Sequence, residues 1–344
     1  MVYNIFMQDN RKKVLIFTLQ GYFNYGNRLQ NFALSLILRK MGYRVSTYNQ
    51  NSFKHRLFDY LTFHTPLRFL NSGNPRLYRF TQKYIKNDYS TRNNPDYIIV
   101  GSDQVWNPDY LSPTHSPLHI QNECDRVISY AASIGKTNLS TKEKKLFLKY
   151  LPEYSSIAVR EKNAKSLLAP LTDKHIEMVL DPTLLVNKAE WLKIANRADQ
   201  RKLPKGKYIF NYVLGDKTDI SDAEKYAQEN NYSIVSLSDR EKSAYGVEEF
   251  LALINGADLI CTDSFHACVF SFLFDKPFVV YKRNNNDELY QRIRDLLKTL
   301  RINNRESNGS SINIKSVRHD YRASYLALND LIDKSIKYLK TAMD

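Results

Sequence analysis

Short apolar runs that close on polar residues recur along this chain, and apolar stripes of helical period lie between several of them. Lys13 to Leu19 reads as a buried first strand. Apolar residues then fall at Leu29, Phe32, Ala33, Leu36 and Ile37, the i, i+3, i+4 stripe of a helix laid on a sheet, and Gly42 stops it. Tyr43 to Tyr48 supplies the next strand, so residues 13–48 form one βαβ unit. Asp96–Val100, Val127–Ala131, Ile157–Arg160 and Ile176–Leu180 are further runs of this kind. Such alternation builds a mostly parallel sheet with helices on both faces.

A second series follows Trp191. Tyr208–Val213, Ser233–Leu237, the run into Asp263 and Phe278–Tyr281 read as strands. Ser221–Asn230 (capped at Ser221 or Asp222), Val247–Asn255 and Asp287–Leu300 read as helices. The 344 residues have room for two domains, each with its own core. The expectation is an α/β protein of two Rossmann-like domains, residues 1–186 and 187–320, with a cleft between them. The Lys- and Asn-rich stretch 187–206 is the expected hinge, Ser307–Ser311 a surface loop, and a last helix at about 321–343 is expected to return to the first domain.

No run reaches the roughly 18–20 apolar residues of a membrane span. The start Met1-Val2-Tyr3-Asn4 is not that of a signal peptide, and three cysteines suit a reducing compartment better than a disulfide framework. A cytoplasmic protein is expected. Its net charge of +14 is uneven. Residues 51–95 hold eight Lys and Arg, among them Lys54, Arg56, Arg68, Arg76, Arg79, Lys83, Lys86 and Arg92, against Asp59 and Asp88. Nine Phe and Tyr, including Phe53, Phe58, Phe63, Phe69 and Tyr84, are interleaved with them. The segment reads either as a solvated basic face or as a surface for an anionic membrane or a diphosphate-linked partner. No helix-turn-helix, RNA-binding or zinc-finger pattern accompanies the charge, so nucleic acid is not expected.

The richest motif is Cys261-Thr262-Asp263-Ser264-Phe265-His266-Ala267-Cys268. A strand ending in polar residues that open a helix places free N–H groups and the positive dipole end at the sheet's crevice. Asp263 or Ser264 caps the helix, and His266 stands in its first turn. Cys261 and Cys268 flank the histidine without a fourth ligand nearby, so they read as small buried side chains and no metal site is expected.

Several pieces taken in order resemble the polysaccharide pyruvyl transferase family. They are Gly21 to Gln30, Val100 to Asn107, Tyr130 to Gly135, Val159-Arg160-Glu161, Leu180-Asp181-Pro182-Thr183, Thr262 to His266, and the later Arg292. The resemblance spans roughly residues 12–300. It implies a fold like that of GT-B glycosyltransferases. It also implies transfer of a pyruvyl group from phosphoenolpyruvate, as co-substrate and with no cofactor, to a sugar of a capsular or exopolysaccharide precursor. A polyprenyl-diphosphate-linked acceptor would bring the protein to the inner face of the membrane as a peripheral partner.

That chemistry needs cations or helix N–H groups for the donor's phosphate and carboxylate, an acid for its methylene carbon and a base for the sugar hydroxyl. Arg160 and Arg292, with Ser264, Phe265 and His266 at the helix start, are the donor-site candidates. His266 reads as a phosphate partner or the acid. Asp103 reads as the base or as a cap, with Trp106 stacking on the sugar ring. Asn24, Asn27 and Arg28 read as further acceptor contacts, and Asp181 as a turn residue. Some relatives carry Arg where Ser264 stands, which leaves this donor site one cation short. Two other readings fit the same frame: a nucleotide-sugar glycosyltransferase, and a non-catalytic saccharide-binding scaffold.

Overall fold

The computed structural model describes residues 10–49, 53–65, 73–85, 87–88, 94–111, 124, 126–215, 218–237, 244–283, 287–307, 309, 311–313, 317 and 320–344. Met1 to Asn4, Arg68, Phe69, Lys86, Arg92, Asn308 and Ser310 lie outside them.

The first sheet has seven parallel strands in the order β3-β2-β1-β4-β5-β6-β7. They are β1 (Lys13–Phe17), β2 (Arg44–Tyr48), β3 (Asn87–Asp88), β4 (Tyr97–Asp103), β5 (Val127–Ala132), β6 (Ile157–Val159) and β7 (Ile176–Met178). All of β4 and β5 is buried, as it must be with helices on both faces. The helices of this half are α1 (Tyr25–Lys40), α2 (Phe53–His64), α3 (Pro75–Tyr84), α4 (Thr141–Tyr150) and α5 (Lys162–Leu168).

Residues 187–206 are a packed connection, not an open linker. They form α6 (Lys188–Ala195), whose Trp191 is fully buried edge-on to Phe270 and against Phe32. The second sheet has four parallel strands in the order β11-β10-β8-β9. These are β8 (Tyr208–Tyr212), β9 (Ser233–Ser236), β10 (Leu259–Thr262) and β11 (Phe278–Val280). They carry α7 (Ser221–Asn230), α8 (Val247–Gly256), α9 (Phe265–Leu273) and α10 (Asp287–Thr299). Neither Ser221 nor Asp222 caps α7. Ile220 occupies that position, the Asp219 carboxylate accepts from the Ser221 N–H, and Asp222 is turned inward to the hydroxyls of Tyr281 and Ser307.

The last helix, α11 (Arg322–Met343), bridges both halves. The Tyr325 hydroxyl, near its start, bonds Phe272 O and Asp275, while further along Ser335 accepts from the Leu180 N–H and Tyr338 donates to Ser129 O. The two halves meet through α1 as well. Tyr25 stacks on Phe250 at 4.7 Å between ring centroids, its hydroxyl bonds Tyr245 O, and one continuous apolar cluster runs from the first sheet's helices into the second's.

Each strand order reverses once, between β1 and β4 in the first sheet and between β8 and β10 in the second. Loops leave the strand ends in opposite directions at such a point and open a crevice there. Here the two crevices face each other.

Candidate active site

One cavity of about 290 Å³ lies between these crevices, lined from the first half by Leu19 to Gly21, Phe23, Asn24, Asn27, Asp103, Gln104, Tyr110 and Arg160. The second half contributes Leu214, residues 263–266, Arg283 and Arg292. A more apolar cavity of about 270 Å³ lies beyond Phe265 and shares Arg160 and Arg292 as walls.

Arg160 follows β6 directly and is nearly buried, its side chain 4% exposed. Its Nη1 donates to Asp181 Oδ2 at 2.7 Å, and its guanidinium lies 4.3 Å over the ring of Phe265. Glu161 and Asp103 stand 3.5 and 3.9 Å away, close enough for attraction but outside a good hydrogen bond. Burial opposes the charge on Arg160, but Asp181, Glu161 and Asp103 outweigh it and raise its pKa.

Asp181 caps the turn Pro182–Leu185 and is also the hub of this cluster. Its Oδ1 accepts from the Thr183 N–H and hydroxyl, and its Oδ2 from Ser102 and Arg160. His266 Nε2, from the other half, stands 3.7 Å from the same Oδ2. Burial pushes the Asp181 carboxyl up, yet His266 and Arg160 overcome that and hold it well below the usual carboxylate range.

Ser264 is the N-cap of α9, accepting from the Ala267 N–H. Asp263 does something else. It takes the Leu214 and Gly215 N–H groups and pairs with Arg283 at 2.7 Å. Arg283 thus brings a cation to the cavity beside Ser264. Arg292 also lines the cavity and makes no ion pair among the described residues, and burial and then the nearby Arg160 lower its pKa to about 10. Four buried nitrogens at this wall make no hydrogen bond among the described residues: Arg160 Nε and Nη2, His266 Nε2 and Arg292 Nε. Buried polar groups are rarely left so, and an acceptor-rich ligand would satisfy them.

On the first half's side, Asn24 caps α1 by accepting from the Asn27 N–H. Asn27 Nδ2 approaches Asp103 Oδ2 at 3.3 Å. Asp103 sits at the end of β4 with φ +74°, a left-handed conformation that Asp tolerates better than most non-glycine residues and that turns its backbone at the strand's end.

Two sequence expectations are corrected. Trp106 cannot stack on a sugar, because it is fully buried against Phe147 and Tyr154 and donates to the Tyr154 hydroxyl. Arg28 points away from the cavity and braces the loop, donating to Leu19 O and Asn27 Oδ1, and burial lowers its pKa to about 10. Conversely, the hub role of Asp181 and the cations of Arg283 were not read from sequence. Arg283 did carry a signal, since it follows a strand end much as Arg160 does. The cysteines lie where expected, Cys261 and Cys268 inside apolar clusters, and burial pushes the Cys261 thiol up to about 12.

Parallel sheets whose switch points face across a cleft define the GT-B-like architecture, and solved structures agree. A UDP-GlcNAc 2-epimerase from Rickettsia bellii superposes with a TM-score of 0.52 at 9% identity, over 97% of this chain and 97% of that one. The corresponding enzyme from Methanocaldococcus jannaschii gives 0.50 at 14%, over 90% and 97%. That from Neisseria meningitidis, bound to UDP-GlcNAc, gives 0.50 at 12%, over 96% and 94%. At such identities the likeness is one of fold alone. No curated protein sequence matches significantly. Residues 24–285 match the family described as polysaccharide pyruvyl transferase, and the chain belongs to that family.

Two expectations follow. A Cβ on Gly26 would lie 2.0 Å from His266 Nδ1, so Gly26→Ala must push the imidazole out of place; it should reduce turnover at least tenfold while leaving the far-ultraviolet circular dichroism unchanged. Asp181→Asn leaves the Arg160 charge buried without its partner and should cost about 3–5 kcal/mol in chemical denaturation at neutral pH. Because the folded-state pKa of Asp181 is depressed, its contribution is full above the unfolded value of about 3.9 and is lost progressively as pH falls from there toward the much lower folded-state value. The gap between parent and variant should therefore narrow as pH falls through that region.

Proposed function

We propose that this transferase moves the pyruvyl (carboxyethylidene) group of phosphoenolpyruvate onto two hydroxyls of one sugar as a cyclic ketal, during synthesis of a capsular or exopolysaccharide. The observation that carries this reading is the division of the cavity. One wall holds unpartnered N–H groups of Arg160 and Arg292 with His266 Nε2, and the other holds Asn24, Asn27 and Asp103.

The donor's phosphate and carboxylate belong with Arg160, Arg292 and the start of α9 at Ser264 and Phe265. Arg283, anchored by Asp263, offsets the missing arginine at Ser264. Phe265 supports Arg160 from below and limits where its guanidinium can swing. The acceptor lies against Asn24, Asn27 and Asp103. His266 delivers a proton to the methylene carbon, C2 gains oxocarbenium character, and the first sugar hydroxyl adds there as Asp103 takes its proton. Phosphate then leaves with the proton that Asp103 had taken, the second hydroxyl adds to the same carbon and gives its proton to His266, and the ketal, inorganic phosphate and the starting protonation states result. Asp181 touches no reacting atom in this scheme; it positions Arg160 and His266.

The acceptor in this reading is a saccharide on polyprenyl diphosphate, and α2 is the surface that meets the membrane holding it. No helix among the described residues is long and apolar enough to cross a membrane. Leu57, Phe58, Tyr60 and Leu61 are all exposed on α2, with Lys54 beside them on the same face and Arg79 and Lys83 exposed on α3. An exposed apolar stripe edged by cations suits the interface of an anionic bilayer. Arg76, in contrast, is drawn to Glu249 of the other half at 3.6 Å.

Incubation of the protein with phosphoenolpyruvate and a panel of saccharides should give one product heavier by the pyruvyl unit, with one phosphate released per product. Arg160→Ala should lower kcat/KM roughly 10- to 150-fold, the loss of a charged contact of about 1.5–3 kcal/mol. Transfer from a nucleotide sugar without phosphoenolpyruvate would support the glycosyltransferase reading instead. Vesicle co-sedimentation should need phosphatidylglycerol, weaken with salt, and fall sharply in the Phe58→Glu, Leu61→Glu double variant. Equal sedimentation of that variant would leave α2 without this role.

A further inference from the structure

The mouth of the cavity carries two of the most exposed aromatic residues among those described, Phe23 at 63% and Tyr110 at 57%. A single exposed aromatic ring needs no explanation. Two that line one cavity, both on the acceptor wall, do.

Both rings are mounted on braced backbone. Phe23 follows Gly21, whose φ of +106° favours glycine, and its Cδ2 lies 3.2 Å from where a Gly21 Cβ would be. The next residue, Asn24, is the cap of α1. Tyr110 ends the short turn Pro108–Tyr110, which Asn107 caps through the Asp109 N–H and which Lys136 ties down through Asp109 at 2.7 Å. The same wall offers Gln20 Oε1, buried without a hydrogen bond among the described residues although the amide nitrogen of Gln20 donates to Tyr48 O. Gln104 and Asn27 supply further amides.

We propose that Phe23 and Tyr110 form a saccharide subsite at the cleft mouth, taking the C–H face of a pyranose ring while Gln20 Oε1 accepts from one of its hydroxyls. A pyranose presents polarised C–H groups on one face and hydroxyls around its edge. The electron-rich face of an aromatic ring meets the first, and amide oxygens meet the second. This is the stacking role that the buried Trp106 cannot fill. The subsite rests on the acceptor being a saccharide, but not on the donor or on the ketal chemistry.

Saturation-transfer NMR on the full-length protein tests it without phosphoenolpyruvate, using methyl glycosides of glucose, galactose, mannose and N-acetylglucosamine and their β-linked disaccharides as probes. The parent should give saturation transfer to the ring C–H protons of at least one probe. Phe23→Ala and Tyr110→Ala should each weaken that binding about fivefold or more, their combination should abolish it, and Tyr110→Phe should retain it. Both residues are surface-exposed, so the variants should keep the parent's circular dichroism and melting temperature. Binding by the double variant equal to that of the parent, or no binding of any probe by the parent, overturns the proposal. Retained saccharide binding that the double variant loses, with no phosphoenolpyruvate-dependent product, would overturn the reaction assigned above and leave the subsite standing.

Discussion

A single buried carboxylate organises one wall of the cleft. Asp181 accepts four hydrogen bonds, from Thr183 twice, Ser102 and Arg160, and its Oδ2 faces His266 across the boundary between the two halves. Among the described residues Arg160 has no other hydrogen-bonded counter-ion, so Asp181 is the main support of its charge beside the cavity, with Glu161 and Asp103 further off. Burying an ion pair gains little stability by itself, because desolvation cancels much of the attraction. Its value here is geometric. Asp181 takes one edge of the Arg160 guanidinium, and Arg160 Nε and Nη2 face the cavity wall without a hydrogen bond among the described residues.

The topology brings these groups to one place. Each parallel sheet opens a crevice only where its strand order reverses, and the carboxyl ends of its strands deliver residues to that crevice. Asp103 arrives from the end of β4, Arg160 from β6, Ser264 and His266 from the turn after β10, and Arg283 from the end of β11. The apolar seam around Tyr25, Phe250, Trp191 and Phe270 sets how close the crevices come. Gly26 permits the last step, since any side chain there would occupy the space of the His266 ring.

Local chemistry made the strands, most helices and the polar strand ends readable in the sequence, because apolar periodicity and caps act over a few residues. Ser264 and His266 at the start of α9 were legible for the same reason. What pairs at a distance was not. Asp181 before Pro182 has the signature of a turn and does cap one, and only the fold shows that its second oxygen meets Arg160 and His266. Trp106 and Tyr110 stand four positions apart after the same strand, yet one is fully buried and the other more than half exposed. No local pattern separates them, since burial there depends on Phe147 and Tyr154 arriving from a later segment.

The central claim is that Asp181 builds the donor site by positioning Arg160 and His266. A double-mutant cycle on phosphoenolpyruvate binding, followed by titration calorimetry at a temperature where every variant is folded, tests it most directly. Parent, Asp181→Asn, Arg160→Lys and the combined variant would be compared. The account predicts at least tenfold weaker binding in each single variant and strong non-additivity, the combined variant binding little worse than either alone. Unchanged affinity in Asp181→Asn, or losses that simply add, would contradict it.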